Sequence, residues 1–203
     1  MNDLEFGDVV FVKTKVQGGW QRLGRWFVGW AIRVITRSDG EGPTFANHVA
    51  LVLMQDGDDY QICEALGKRG FVFTLLRERY GDTQRFGVRV ARHSRLSEMN
   101  RDLMRVRINH LKHKKYGTWK VAAHATDYAL TKAWQLLGGH GDIYAFRWLC
   151  RNGNYPICSW AVSDIYDRGG LPFRTPVALA QPDDLYDECD QGIFWTWVAE
   201  EVS

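Results

Sequence analysis

The spacing of apolar residues changes period along the chain and divides it into a strand-rich first part and a helical second part. Asp8 to Lys13 (DVVFVK) is a short β-branched and aromatic run introduced by Gly7, which predicts a strand. In Trp20 to Ile35 the period is helical: Trp20, Leu23, Phe27, Trp30, Ala31 and Val34 recur among Arg22, Arg25 and Arg33. This predicts an amphipathic helix ended by a Ser38–Pro43 loop. Asn47 to Met54 (NHVALVLM) is an almost continuous apolar run of strand length, the pattern of a strand buried on both faces. The turn residues 56–59 (DGDD) then bring Tyr60 to Ala65 back as an antiparallel hairpin partner. Phe71 to Leu76 and the alternating run Phe86 to Ala91 predict two further strands.

From about Ser97 the period becomes helical. Leu96, Met99, Leu103, Val106, Ile108 and Leu111 predict the apolar face of one long helix, with Arg and His on its wet side. Lys120 to Leu137 predicts a second helix, broken by residues 138–141 (GGHG), and Tyr144 to Cys150 a short third one. Cys158 to Asp167 predicts a last helix, entered after Pro156 and stopped by Gly169 and Gly170. The segment TPVALAQPDDLYDE reads as turns, and FWTWV as a closing strand. No repeat or linker interrupts the series. The expectation is therefore one α+β domain over 1–203, strand-rich over 6–91, helical over 97–149 and closed by 155–203.

Composition narrows the function classes. With 26 Lys+Arg against 24 Asp+Glu the net charge is +2, and the basic residues are scattered, so no nucleic-acid partner is expected. No apolar run reaches membrane-spanning length, and MNDLEFGDVVFV lacks the basic start and apolar stretch of a signal peptide, which makes a cytoplasmic location the default expectation. Cys63, Cys150, Cys158 and Cys189 lie far apart without a CxxC pair, which argues for reduced thiols over a disulfide scaffold or a zinc site. His110 and His113 share a helix face and His124 lies beyond them, but no carboxylate or cysteine completes a ligand pattern. No metal or other cofactor is expected.

A special thiol in such a chain would be catalytic. Cys158 opens its helix, where free backbone N–H groups favour a thiolate and an oxyanion, although alone it reads more readily as a core cysteine. A nucleophilic thiol needs an imidazole base. His48 stands at the head of the most apolar strand, whereas His93, His110, His113, His124 and His140 sit in contexts that suit surface histidines. The base in turn needs an acceptor on its other nitrogen. Glu64 lies on the hairpin partner of the His48 strand, where a lone buried carboxylate would be costly. Cys158, His48 and Glu64 are thus the candidate catalytic residues.

The series FGDVVFV, NHVALVL, ICEALGKRGFVFTLL and PICSWAVSDIY resembles the circularly permuted branch of the NlpC-type papain-like cysteine hydrolases, relatives of the lecithin retinol acyltransferase-like proteins. The resemblance runs from about Phe6 to Leu185 and rests mainly on the order of its blocks. It implies a papain-like fold in which an antiparallel sheet packs against helices, with a helical insert. It further implies Cys158 as nucleophile, His48 as general base and Glu64 as the residue orienting it, with Gly7 and Asp8 structural. Tyr116-Gly117 departs from the Tyr-Asp pair of many members, and Ser159 is followed by Trp160 where permuted members often carry an acid. The implied function is cysteine hydrolysis of an amide or ester bond through a thioacyl intermediate, as a peptidase, amidase or acyl hydrolase. Its partner would be a peptide, murein or lipid-linked acyl substrate. An acyltransferase with the same three residues, and a non-catalytic lipid- or peptide-binding module that kept the fold, are the alternatives. Two features bear on the substrate. The Trp20–Ile35 composition suits a membrane surface, the lining of a lipid pocket or a helix packed on the sheet, and the 97–149 insert suits either a cap over the cleft or core, with Trp119, Trp134 and Trp148 inward.

Overall fold

Antiparallel pairing joins all the predicted strands into one sheet. In the computed structural model, which describes residues 3–15, 45–141, 143, 145, 146 and 154–200, its strands are β1 (Val9–Thr14), β2 (His48–Asp56), β3 (Asp59–Leu66), β4 (Gly70–Leu75), β5 (Phe86–His93) and β6 (Trp195–Glu200). Their order is β4-β3-β2-β1-β5-β6. The closing segment therefore pairs with β5, Trp195 opposite His93, and forms one edge of the sheet. The expected helix at Trp20–Ile35 with its loop, and most of Tyr144–Cys150 with Trp148, lie outside the described residues.

The continuous apolar runs of β1 and β2 follow from burial on both faces. Val9, Phe11, Val49, Leu51 and Cys63 point into a core covered by helices. Val10, Val12, Ala50, Val52 and Ile62 point into a second core on the other face, closed partly by Leu76 and Tyr80. Those two residues belong to α1 (Leu76–Tyr80), a short helix that begins at Leu76, where the predicted strand ends.

On the first face α4 (Cys158–Arg168) packs across β2 and β3, and α2 (Glu98–Leu111) packs on α4. The start of α2 is set by its capping box. Ser97 Oγ accepts from Asn100 N–H, and Asn100 Oδ1 accepts from Ser97 N–H, an arrangement that stabilises by about 1 kcal/mol. The face α2 buries differs from the predicted one. Met104, Ile108 and Leu111 are its buried residues, while Met99, Leu103 and Val106 are exposed. Helical spacing admits both stripes, and Arg107, ion-paired with Asp164 of α4, helps select the one that packs.

One further expectation is corrected. The TPVALAQPDDLYDE segment contains α5 (Pro182–Gln191) and not only turns: Pro182 occupies the helix start, Gln181 N–H donates to Asp184 Oδ2 (2.9 Å), and Asp183 and Asp184 face the positive end of the helix dipole. Trp119 and Trp134 are exposed on α3 (Thr118–Leu136), which disfavours the core alternative for the 97–149 insert at these two positions.

Candidate active site

Three residues from three elements converge at one end of the sheet. His48 is the first residue of β2, Glu64 lies near the end of β3, and Cys158 is the first residue of α4. Alternation along the strands puts His48 and Glu64 on the face of Ala50, Val52 and Ile62, whereas Cys158 belongs to the helix-covered core with Val49 and Cys63. The imidazole and the thiol therefore meet past the end of the strand and not through the sheet, which explains why the histidine must stand at a strand head.

Glu64 is fully buried and fixes the site from behind. His48 Nε2 lies 2.7 Å from Glu64 Oε2. Tyr80 OH donates to the same oxygen at 2.5 Å, Thr74 Oγ1 donates to Oε1 at 2.6 Å, and Arg79 Nε lies 2.8 Å from Oε1. Burial alone would raise this carboxyl's pKa. The His48 hydrogen bond and charge, with Thr74 and Tyr80, reverse that and lower it to about 2. Glu64 is thus a fixed anion.

With Nε2 committed to Glu64, the other ring nitrogen serves Cys158, and the two side chains are hydrogen-bonded. Burial disfavours the imidazolium, but the sulfur and Glu64 outweigh it and raise His48 to about 10. Burial also opposes the thiolate. The His48 charge and hydrogen bond, with the backbone N–H groups of Val49 and Ser159 aimed at the sulfur, bring Cys158 below its ordinary value of 9.0. The favoured state is a thiolate–imidazolium pair. Cys63 is the opposite case: buried beside the Glu64 carboxylate, its pKa is pushed far up, and it stays a thiol.

The structure brings all three sequence-derived candidates together. It adds residues that the sequence reading passed over: Thr74, Tyr80 and Arg79 around Glu64, and Tyr116 beside the sulfur. Tyr116 is held protonated by burial and by the charge of Cys158. The Arg79-Tyr80 pair carried no recognisable signal, because its role depends on α1, a helix too short to show a period. The glycine that follows Tyr116 has a steric cause. A Cβ on Gly117 would stand 2.5 Å from the Tyr155 carbonyl oxygen, and Gly117 N–H donates to Pro156 O (3.0 Å), so the turn into the Cys158 helix rests directly on this backbone.

The paired Gly7 and Asp8 are structural. Gly7 has φ 94°, and its carbonyl accepts from Tyr166 OH of α4 at 2.5 Å. Asp8, fully buried, takes both Nε and Nη2 of Arg92 at 2.8 Å. Of the histidines expected at the surface, His93 and His124 are buried, the first against Trp195 and Phe194, while His110, His113 and His140 are exposed. A cavity of about 500 Å³ borders the outer side of Glu64's clamp, lined by Arg69, Phe73, Thr74, Glu78 and Arg79 among others.

Among the described residues no group of three His, Cys, Asp or Glu is arranged to hold a metal ion, and Cys63, Cys158 and Cys189 are free thiols. No family model, curated protein or solved structure matches the chain.

Proposed function

We propose that the protein is a cysteine acyl hydrolase with a circularly permuted papain-like architecture, cleaving an amide or ester bond. One observation carries this reading: a thiol at a helix N-terminus is hydrogen-bonded to an imidazole whose other nitrogen is fixed by a buried, permanently charged carboxylate. A purely structural cysteine has no use for such a partner, whereas a nucleophile requires it. The permuted architecture is supported by chain order, since the histidine strand and its acid precede the nucleophile helix.

In the proposed reaction the Cys158 thiolate attacks the substrate carbonyl carbon, and the carbonyl π electrons move to oxygen. The oxyanion faces the N-terminus of α4, with the protonated hydroxyl of Tyr116 nearby. Collapse expels the amine or alcohol, which takes the proton of the His48 imidazolium. His48, now neutral, removes a proton from water as the water attacks the thioester, and Cys158 leaves again as thiolate. A peptide, murein or lipid-linked acyl group satisfies this chemistry, and replacing water by another nucleophile would make the same site an acyltransferase. Glu64 stays ionised throughout and holds the imidazole.

The test is turnover of a panel of murein peptides, N-acyl amino acids and lipid esters by wild type and Cys158→Ala. The reading requires at least one class to be cleaved by the wild type alone, at unchanged melting temperature. Equal turnover by the variant would refute it, and substrate binding without turnover by either would favour the binding-module alternative.

A further inference from the structure

Helix α3 is built inside out. Its buried stripe is mostly polar: Lys120, His124, Asp127 and Thr131, spaced i, i+4, i+7 and i+11, are all turned toward the protein, with Ala123 and the half-buried Val121 as the apolar residues beside them. Its exposed side carries Trp119 (37% exposed), Leu130 (38%), Trp134 (47%) and Leu136 (88%), followed by Leu137, with Ala122, Ala129 and Ala133 between them. Lys132, half-buried and donating to Gln135 Oε1 (3.1 Å), is the charged side chain at its edge beside Leu136. A helix lying against a core and bathed in water has the reverse distribution.

The orientation is held by specific bonds and is not a loose rotation of the helix. Asp127 Oδ1 accepts from Phe146 N–H and Thr131 Oγ1 accepts from Ile143 N–H, each at 2.8 Å. The Lys120 ammonium stands 4.1 Å from the Trp160 ring centroid of α4. Rotating the apolar face inward would strip these groups of their partners.

Charge identifies what the face meets. From Leu103 to Thr126 the sequence contains no Asp or Glu, and Asp127 is buried. Lys112, His113 and Lys115 are exposed in the turn that leads into α3, where His113 adopts the left-handed φ of 66°. An apolar face ending in tryptophan and bordered by exposed cations matches an anionic lipid surface, where indoles sit at the headgroup level and lysines meet phosphates. A second copy of the chain would bring the same acid-free face and leave the lysines without anions. No described helix is long and apolar enough to cross a membrane, so α3 would lie on the surface and not span it.

We infer that α3 is a membrane-docking helix that lays its Trp119–Leu137 face on an anionic bilayer. Tyr116, beside Cys158, precedes α3 by two residues, so a docked α3 would hold the sulfur close to the headgroups. This consequence, but not the docking itself, rests on the acyl-hydrolase reading.

The experiment is co-sedimentation of the full chain with vesicles of phosphatidylcholine alone and of phosphatidylcholine with phosphatidylglycerol. Wild type is expected to pellet with the anionic vesicles and about tenfold less with the neutral ones. Leu130→Glu combined with Leu137→Glu should weaken binding about tenfold or more at unchanged melting temperature, because both side chains are exposed in the free protein. Lys112→Gln with Lys115→Gln should remove the preference for anionic lipid. Cys158→Ala should pellet like wild type, which separates docking from catalysis. A wild type that stays in the supernatant, a glutamate variant that binds normally, or a Cys158→Ala that loses binding would each overturn the inference. So would a wild-type dimer that the glutamate pair converts to monomer, since a second copy would then be the occupant.

Discussion

At the scale of single residues, the account turns on how Glu64 and His48 set the state of one sulfur. Glu64→Ala removes the acceptor of Tyr80 and Thr74 and leaves Arg79 and His48 without their anion, so it should destabilise by about 3–5 kcal/mol in urea unfolding. Glu64→Gln is the gentler change. It keeps the shape but loses the charge that helps raise His48, so the pH at which His48 titrates by NMR should fall below about 10. Turnover should drop by about a hundredfold or more as the imidazole loses its orienting anion. In the wild type, activity should rise as Cys158 ionises, below the ordinary 9.0, and fall as His48 deprotonates near 10. His48 and Glu64 were legible in the sequence because each breaks its local pattern, a histidine opening an apolar strand and an acid inside one, whereas Cys158, a cysteine opening a helix, stood out only in their company. Thr74, Tyr80 and Arg79 break no pattern, since polar residues at a strand end and on a single helical turn are ordinary.

At the scale of elements, the strands were legible and the helix faces were not. The β-branched runs and the 56–59 turn fix β1, β2 and β3 to within two residues, because alternation and turn chemistry are local signals. Which stripe of α2 packs, and which side of α3 faces inward, depends on partners distant in sequence: Arg107 finds Asp164, and Lys120 finds Trp160. In α5 the proline and aspartates that suggest turns serve as helix-start residues, an ambiguity that only the following residues resolve. The junction of α3 with the Cys158 helix gives a prediction at this scale. Gly117→Ala would set a methyl group 2.5 Å from the Tyr155 carbonyl, so the loop leading into Cys158 must shift. The expected cost is about 1–3 kcal/mol in melting experiments, with a fall in kcat larger than any change in KM.

At the scale of the whole molecule, the ionisations of the site predict the shape of stability against pH. His48, raised from 6.5 to about 10, stabilises fully below 6.5, and that contribution is lost as pH rises toward 10. Cys158, lowered from 9.0, stabilises fully above 9.0, and its contribution is lost as pH falls. Between 6.5 and 9.0, wherever Cys158 is ionised in the folded protein, the two slopes oppose each other, because the folded pair and the unfolded pair then each hold one proton. Glu64, lowered from 4.5 to about 2, adds a further loss of stability as pH falls through that range. Urea midpoints should therefore vary least in the window just below 9.0, as far as this site governs them, decline above it as His48 deprotonates near 10, and decline in acid as Glu64 is protonated. The central claim is that, of the three cysteines among the described residues, Cys158 is the one ionised by the fold. It is tested most directly by alkylating the intact protein with iodoacetamide across pH and mapping all four cysteines by mass spectrometry, in wild type and His48→Ala. The account predicts that Cys158 reacts first, with a pH profile displaced below the ordinary 9.0, that Cys63 stays unmodified, and that His48→Ala returns Cys158 to ordinary thiol behaviour. A Cys158 that reacts no faster than the other cysteines, or whose pH profile is unchanged in His48→Ala, would contradict it.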